Sequence, residues 1–165
     1  MLVFASSGRL LRQLDVADSS PLLLGLAFHR VTGALLVVDF GGKAVRQVDP
    51  VTGASSVFAV IPADAAAGPN ALAFDRAGNV YLSDSFQGAI WRAGPQDGRP
   101  TAWVRDALLT IAGVPPLAPT GSRSTGPRRR VIANTGNDTV VRIPVASAPR
   151  GAGGVRPQHQ WRRTA

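Results

Sequence analysis

The sequence contains no cysteine and, among its 10 acidic residues, no glutamate. Without cysteine there are no disulfides, no thiolate-bound zinc and no thiol catalysis, and the compartment stays open. Every carboxylate must come from aspartate. The two histidines, His29 and His159, are too few and too far apart for a histidine zinc site. No stretch approaches the roughly 20 apolar residues that span a bilayer, so no membrane partner is expected. The first residues lack a basic region followed by a long apolar run, so they do not read as a signal peptide. Apolar runs of ten or more residues at helical spacing are also missing, which disfavours a helical solenoid.

Glycine and proline, by contrast, are plentiful, at 18 and 13 residues, and 45% of the chain is hydrophobic. That combination favours many short strands around a substantial core. The net charge of +8 is unevenly placed. Residues 1–119 carry nine Lys/Arg against nine Asp, and residues 120–165 carry nine Arg against one Asp. A basic tail with Arg128-Arg129-Arg130 can be an RNA-binding arm. Its Gly, Pro and Ser content reads instead as disorder, and no specific nucleic-acid binding is expected.

The chain repeats itself. Leu24-Gly25-Leu26-Ala27-Phe28 recurs as Asn70-Ala71-Leu72-Ala73-Phe74, 46 residues later. Leu35-Leu36-Val37-Val38-Asp39 matches Val80-Tyr81-Leu82-Ser83-Asp84, and Ala44-Val45-Arg46-Gln47-Val48 matches Ala89-Ile90-Trp91-Arg92-Ala93, each 45 residues later. Ser56-Val57-Phe58-Ala59-Val60 pairs with Thr101-Ala102-Trp103-Val104. Four short apolar runs per unit of about 45 residues is the arithmetic of a β-propeller blade. The fold class is therefore all-β, with blades of four antiparallel strands. Leu11-Arg12-Gln13-Leu14 echoes Val45-Arg46-Gln47-Val48, so an incomplete blade precedes the first full one. The predicted division is a partial blade at 1–20, blades at 21–65 and 66–114, a disrupted inner strand at 115–130, a partial blade at 131–145 and a disordered tail at 146–165.

The run from Gly68-Pro69-Asn70-Ala71-Leu72-Ala73-Phe74-Asp75 through Gly78-Asn79-Val80-Tyr81-Leu82-Ser83-Asp84-Ser85 resembles the gluconolactonase, senescence-marker-protein (regucalcin) and luciferin-regenerating-enzyme group of six-bladed propellers. Asn134-Thr135-Gly136-Asn137 followed by Thr139-Val140-Val141-Arg142-Ile143 looks like another strand pair of that kind, and NHL-type repeats share much of the pattern. The resemblance implies about 3–3.5 blades of a six-bladed parent, with the ring not closed. It also implies a divalent cation, usually calcium, that polarises a lactone carbonyl for attack by water. The parent's ligand would be a small lactone or sugar-derived molecule. The implied metal ligands are a Glu, an Asn and an Asp, and Asn70 falls on the Asn position. Asn70 also reads as a turn initiator after Pro69.

The other ligands are missing. The chain has no Glu, Leu24 stands one blade before Asn70, and Thr120 occupies the Asp position 50 residues on. Residues 119–127 show no strand pattern. Shifting the reading by one base from Thr120 to Gly126 admits an Asp-Gly-Ile-Ala-Phe-Asp-Gly inner strand, which suggests compensating frameshifts around residues 118–131. The expectation is a lactonase-like propeller segment without a complete active site; the alternative is a non-catalytic NHL-like binding platform. Self-association through open sheet edges is expected.

Smaller features have simpler readings. Asp39 and Asp84, at equivalent strand ends, read as turn caps rather than metal ligands. His29 reads as solvent-facing beside a turn. Trp91 and Trp103 read as packing between blades. Gly41-Gly42-Lys43 reads as a hairpin turn rather than a phosphate loop. A Ser83–His29–Asp39 triad has no supporting nucleophile motif.

Overall fold

A computed structural model describes residues 1–62, 66–110, 119–124, 129–134, 139–144 and 156–160, with the backbone alone described through most of the last four segments. The valine-, leucine- and aromatic-rich runs become strands because such side chains suit a pleated, half-buried surface. In chain order they are β1 (Leu2–Phe4), β2 (Leu10–Gln13), β3 (Leu23–Phe28), β4 (Leu35–Asp39), β5 (Ala44–Val48) and β6 (Ser55–Val60). Then follow β7 (Pro69–Phe74), β8 (Val80–Asp84), β9 (Ala89–Ala93) and β10 (Thr101–Arg105). The last four are β11 (Pro119–Ser124), β12 (Arg129–Asn134), β13 (Thr139–Pro144) and β14 (Arg156–Gln160).

They form a two-stranded sheet, β1-β2, and three four-stranded antiparallel sheets: β3 to β6, β7 to β10 and β11 to β14, each in sequential order. These are an incomplete first blade and three full blades of an unclosed β-propeller. The inner strands touch one another, β7 lying against β3 on one side and β11 on the other.

Each blade is glued to the next by an apolar layer. Val16, Leu35, Val37 and Val48 bury between the N-terminal segment and the second blade. Leu36, Val38 and Val45 meet Val80, Leu82 and Trp91 between the second and third. Tyr81 and Ile90 meet Ile132, Val141 and Ile143 between the third and fourth. β4 and β8 are buried along their whole length because both faces are covered by neighbouring blades.

Two segments differ from expectation. Residues 119–124 form β11, paired with β12 in register from Pro119–Asn134 to Ser124–Arg130, where a disrupted strand was expected. Strand pairing runs through backbone groups, and β12 supplies those partners to a chain of small polar residues that lacks apolar alternation. Within the expected disordered tail, Arg156–Gln160 pairs with β13 as the outermost strand. The rest of that tail, and Arg128, lie outside the described residues.

Candidate functional site

The inner strands share a defect at one position. The register of β7 against β8 shifts between Pro69 and Leu72, so Asn70 and Ala71 bulge from the ladder. The same shift occurs in β3 between Leu23 and Leu26, and in β11 between Pro119 and Gly121. Leu24, Asn70 and Thr120, matched across the repeat, therefore all sit in bulges, which re-aim side chains and free backbone groups. In blade three the freed groups are met by Ser83, whose Oγ accepts from the Ala71 N–H at 3.0 Å and donates to the Ala71 carbonyl at 3.4 Å. Neighbouring bulges meet backbone to backbone. A Cβ on Gly25 would lie 3.1 Å from the Asn70 carbonyl oxygen, so glycine is what lets the two strands approach.

Asn70 is half-buried and its Nδ2 donates to Ser85 Oγ at 3.3 Å. In the second blade the matching positions are Leu24 and Phe40, so an apolar pair stands beside the polar pair Asn70–Ser85. Phe40 and Phe86, on the β4–β5 and β8–β9 loops, meet edge to face at 5.6 Å. The Phe86 ring lies over Gly68, where a Cβ would come within 2.9 Å of it. Sequence reading missed this aromatic pair; the signal was a phenylalanine within two residues of each strand-end aspartate.

Asp39 and Asp84 are completely buried and act as staples. Asp84 Oδ1 accepts from the backbone N–H groups of Gly68, Phe86 and Gln87 at 3.0–3.1 Å, and its Oδ2 accepts from Gln87 Nε2 at 2.6 Å and Trp91 Nε1 at 3.1 Å. One carboxylate thus ties the approach to the inner strand, the β8–β9 turn and the third strand. Asp39 does the same with Ser20, Gly42 and Arg46, the guanidinium at 3.0 Å taking the place that the Trp91 indole holds one blade on. Burial pushes the Asp39 carboxyl up, but the bonds from Ser20, Gly42 and Arg46 together outweigh it and hold it below the usual carboxylate range. The turn-capping reading of both aspartates matches this geometry.

His29 was expected at the surface and is instead 1% exposed. Its Nδ1 accepts from the Val31 and Thr32 N–H groups at 3.3 and 3.1 Å, which leaves the hydrogen on Nε2 to donate to the Gly78 carbonyl at 2.6 Å. Phe74 stacks on it edge to face at 4.9 Å. The burial comes from the next blade, whose β7–β8 turn closes over the imidazole. At the matching position of that turn, Asp75 accepts from Ala77 and Asn79 N–H. The repeat thus held the signal that this position caps a turn.

Ser83, His29 and Asp39 are not brought together as a triad, since each is engaged elsewhere. Trp91 is buried between blades two and three, and Trp103 packs edge to face on Tyr81 at 5.0 Å. Gly41, Gly42 and Lys43 form the β4–β5 hairpin turn, with Lys43 at φ +53°. Thr120 and His159 lie in β11 and β14, and their side chains are outside the described residues.

The described donors do not fit a calcium ion, which takes six to eight oxygens with carboxylates among them. Asn70 supplies one amide oxygen, Ser85 a hydroxyl, and the nearby carboxylates of Asp39 and Asp84 are spent on blade staples. No cluster of three His, Asp or Glu occurs among the described residues.

No protein-family model matches the sequence, and no curated protein does. Solved structures do match. Virginiamycin B lyase from Staphylococcus aureus superposes with a TM-score of 0.68 at 11% identity, over 94% of this chain and 46% of its own. A nutrient-binding protein from Bacteroides ovatus gives 0.61 at 11%, over 94% and 46%. A 6-phosphogluconolactonase candidate from Bacteroides uniformis gives 0.57 at 18%, over 94% and 49%. By fold, the chain is a β-propeller segment. At these identities the likeness extends to the fold alone, and the chain spans about half the length of the propellers it matches.

Proposed function

We propose that this chain is a lactonase-like propeller segment whose surface around Asn70 binds a small lactone or sugar-derived molecule without hydrolysing it. The observation that carries this reading is the fate of the carboxylates. Asp39 and Asp84 stand at the strand ends nearest the bulges, yet both are consumed as acceptors for turn and strand N–H groups. A Lewis-acid metal needs hard anionic oxygens to stay in place. What remains around Asn70 suits binding: its amide and the apolar surface of Phe40 and Phe86. A neutral ring with one apolar face and hydroxyl or carbonyl groups at its rim matches that pairing.

The test is hydrolysis of glucono-δ-lactone with and without millimolar calcium. The rate with protein is expected to equal the spontaneous rate in both. Calcium-dependent turnover that Asn70→Ala abolishes would overturn the reading and restore a working hydrolase.

A further inference from the structure

The Asn70 amide has a donor end and an acceptor end, and Ser85 decides which of them is left for a ligand. Asn70 bulges from the β7 ladder and its side chain is half-buried. Its Nδ2 donates at 3.3 Å to the Oγ of Ser85, which is only 3% exposed. A planar amide carries donor and acceptor on opposite sides. With the donor turned to a buried serine, Oδ1 is the free end, and it has no hydrogen-bond partner among the described residues.

An open aromatic ring follows directly in the chain. Phe86 seats its ring over Gly68 and meets Phe40 edge to face at 5.6 Å, yet stays 45% exposed. The two rings come from the second and third blades, which are packed on each other through a shared apolar layer. In the second blade Leu24 and Phe40 take the positions of Asn70 and Ser85, so there the aromatic surface has no acceptor beside it. Of these two blades, the third is the one that joins both.

We propose that Asn70 Oδ1 accepts a hydroxyl of the bound ring while the C–H face of that ring covers Phe86. The site then selects hydroxylated rings and is indifferent to a lactone carbonyl. This rests on the sugar-derived ligand proposed above and narrows it to a polyol ring. A carbonyl set against Oδ1 would bring two acceptors together, whereas a hydroxyl donates into the same place. A polyol ring presents apolar C–H groups on its face and donors around its rim, which matches an aromatic surface with one polar group beside it. Ser85 is the positioning residue.

Nuclear magnetic resonance titrations of the full chain, with calcium chelated, test this using two stable six-membered rings. Methyl glucoside has hydroxyls and no carbonyl, and δ-valerolactone has the carbonyl and no hydroxyl. Methyl glucoside is expected to bind roughly tenfold more tightly, the worth of one good neutral hydrogen bond. Asn70→Leu should erase that preference, and Asn70→Asp, which keeps an acceptor, should retain it. Ser85→Ala should narrow it, because the amide can then turn its donor outward. Circular dichroism checks that each variant is folded. Equal affinity for the two probes, or a preference that survives Asn70→Leu, overturns this inference and leaves the broader reading standing. Binding of freshly dissolved glucono-δ-lactone without binding of methyl glucoside does the same. A preference unchanged in Ser85→Ala overturns the positioning role. A chain that binds none of the three molecules overturns both this inference and the reading beneath it.

Discussion

Asp39 shows how one side chain holds a blade and how acid should loosen it. Its carboxylate is buried, bonded to Ser20, Gly42 and Arg46, and held below the ordinary aspartate value of about 4. A group whose folded value is depressed stabilises the fold fully above the unfolded value. That contribution drains away as pH falls through the folded value. The wild-type chain should therefore lose stability faster than Asp39→Asn as pH falls below about 4. Urea unfolding of both proteins across that range checks this, and parallel pH curves would remove Asp39 from the account. His29 works by a different chemistry at the other end of the inner strand, where its two ring nitrogens serve two blades at once.

At the scale of elements, the turns decide how closely blades approach. Gly8 and Gly78 both have left-handed backbone, at φ +82° and +84°. A Cβ on Gly8 meets nothing within 4 Å, while one on Gly78 lies 2.9 Å from both the His29 ring and Val31. Gly8→Ala should cost about 1 kcal/mol for backbone strain alone. Gly78→Ala should cost roughly 1–3 kcal/mol more, because it also pushes the turn off His29. Chemical denaturation of the two variants separates the terms. The strands themselves were largely legible: apolar runs between Gly and Asp turns, repeated after 45 or 46 residues, mark β3 to β10. β11 was not, because Thr120, Gly121 and Ser122 carry no apolar alternation and the strand exists through its backbone partners. His29 was misread for a related reason. A lone histidine beside a turn looks solvated until the next blade is placed over it. The bulges at Leu24, Asn70 and Thr120 left no mark in composition, although the repeat had already aligned those three positions.

For the whole molecule, the repeat has two consequences. It builds the same aspartate staple in consecutive blades, and it spends on architecture the carboxylates a metal centre would need. The central claim is that the surface around Asn70 is not a calcium centre. The most direct test is thermal unfolding of the chain with calcium titrated from micromolar to millimolar concentrations. A ligand that binds the folded state raises the melting temperature with the logarithm of its concentration. The account predicts a melting temperature that calcium does not move. A steady rise with calcium that Asn70→Ala removes would contradict it.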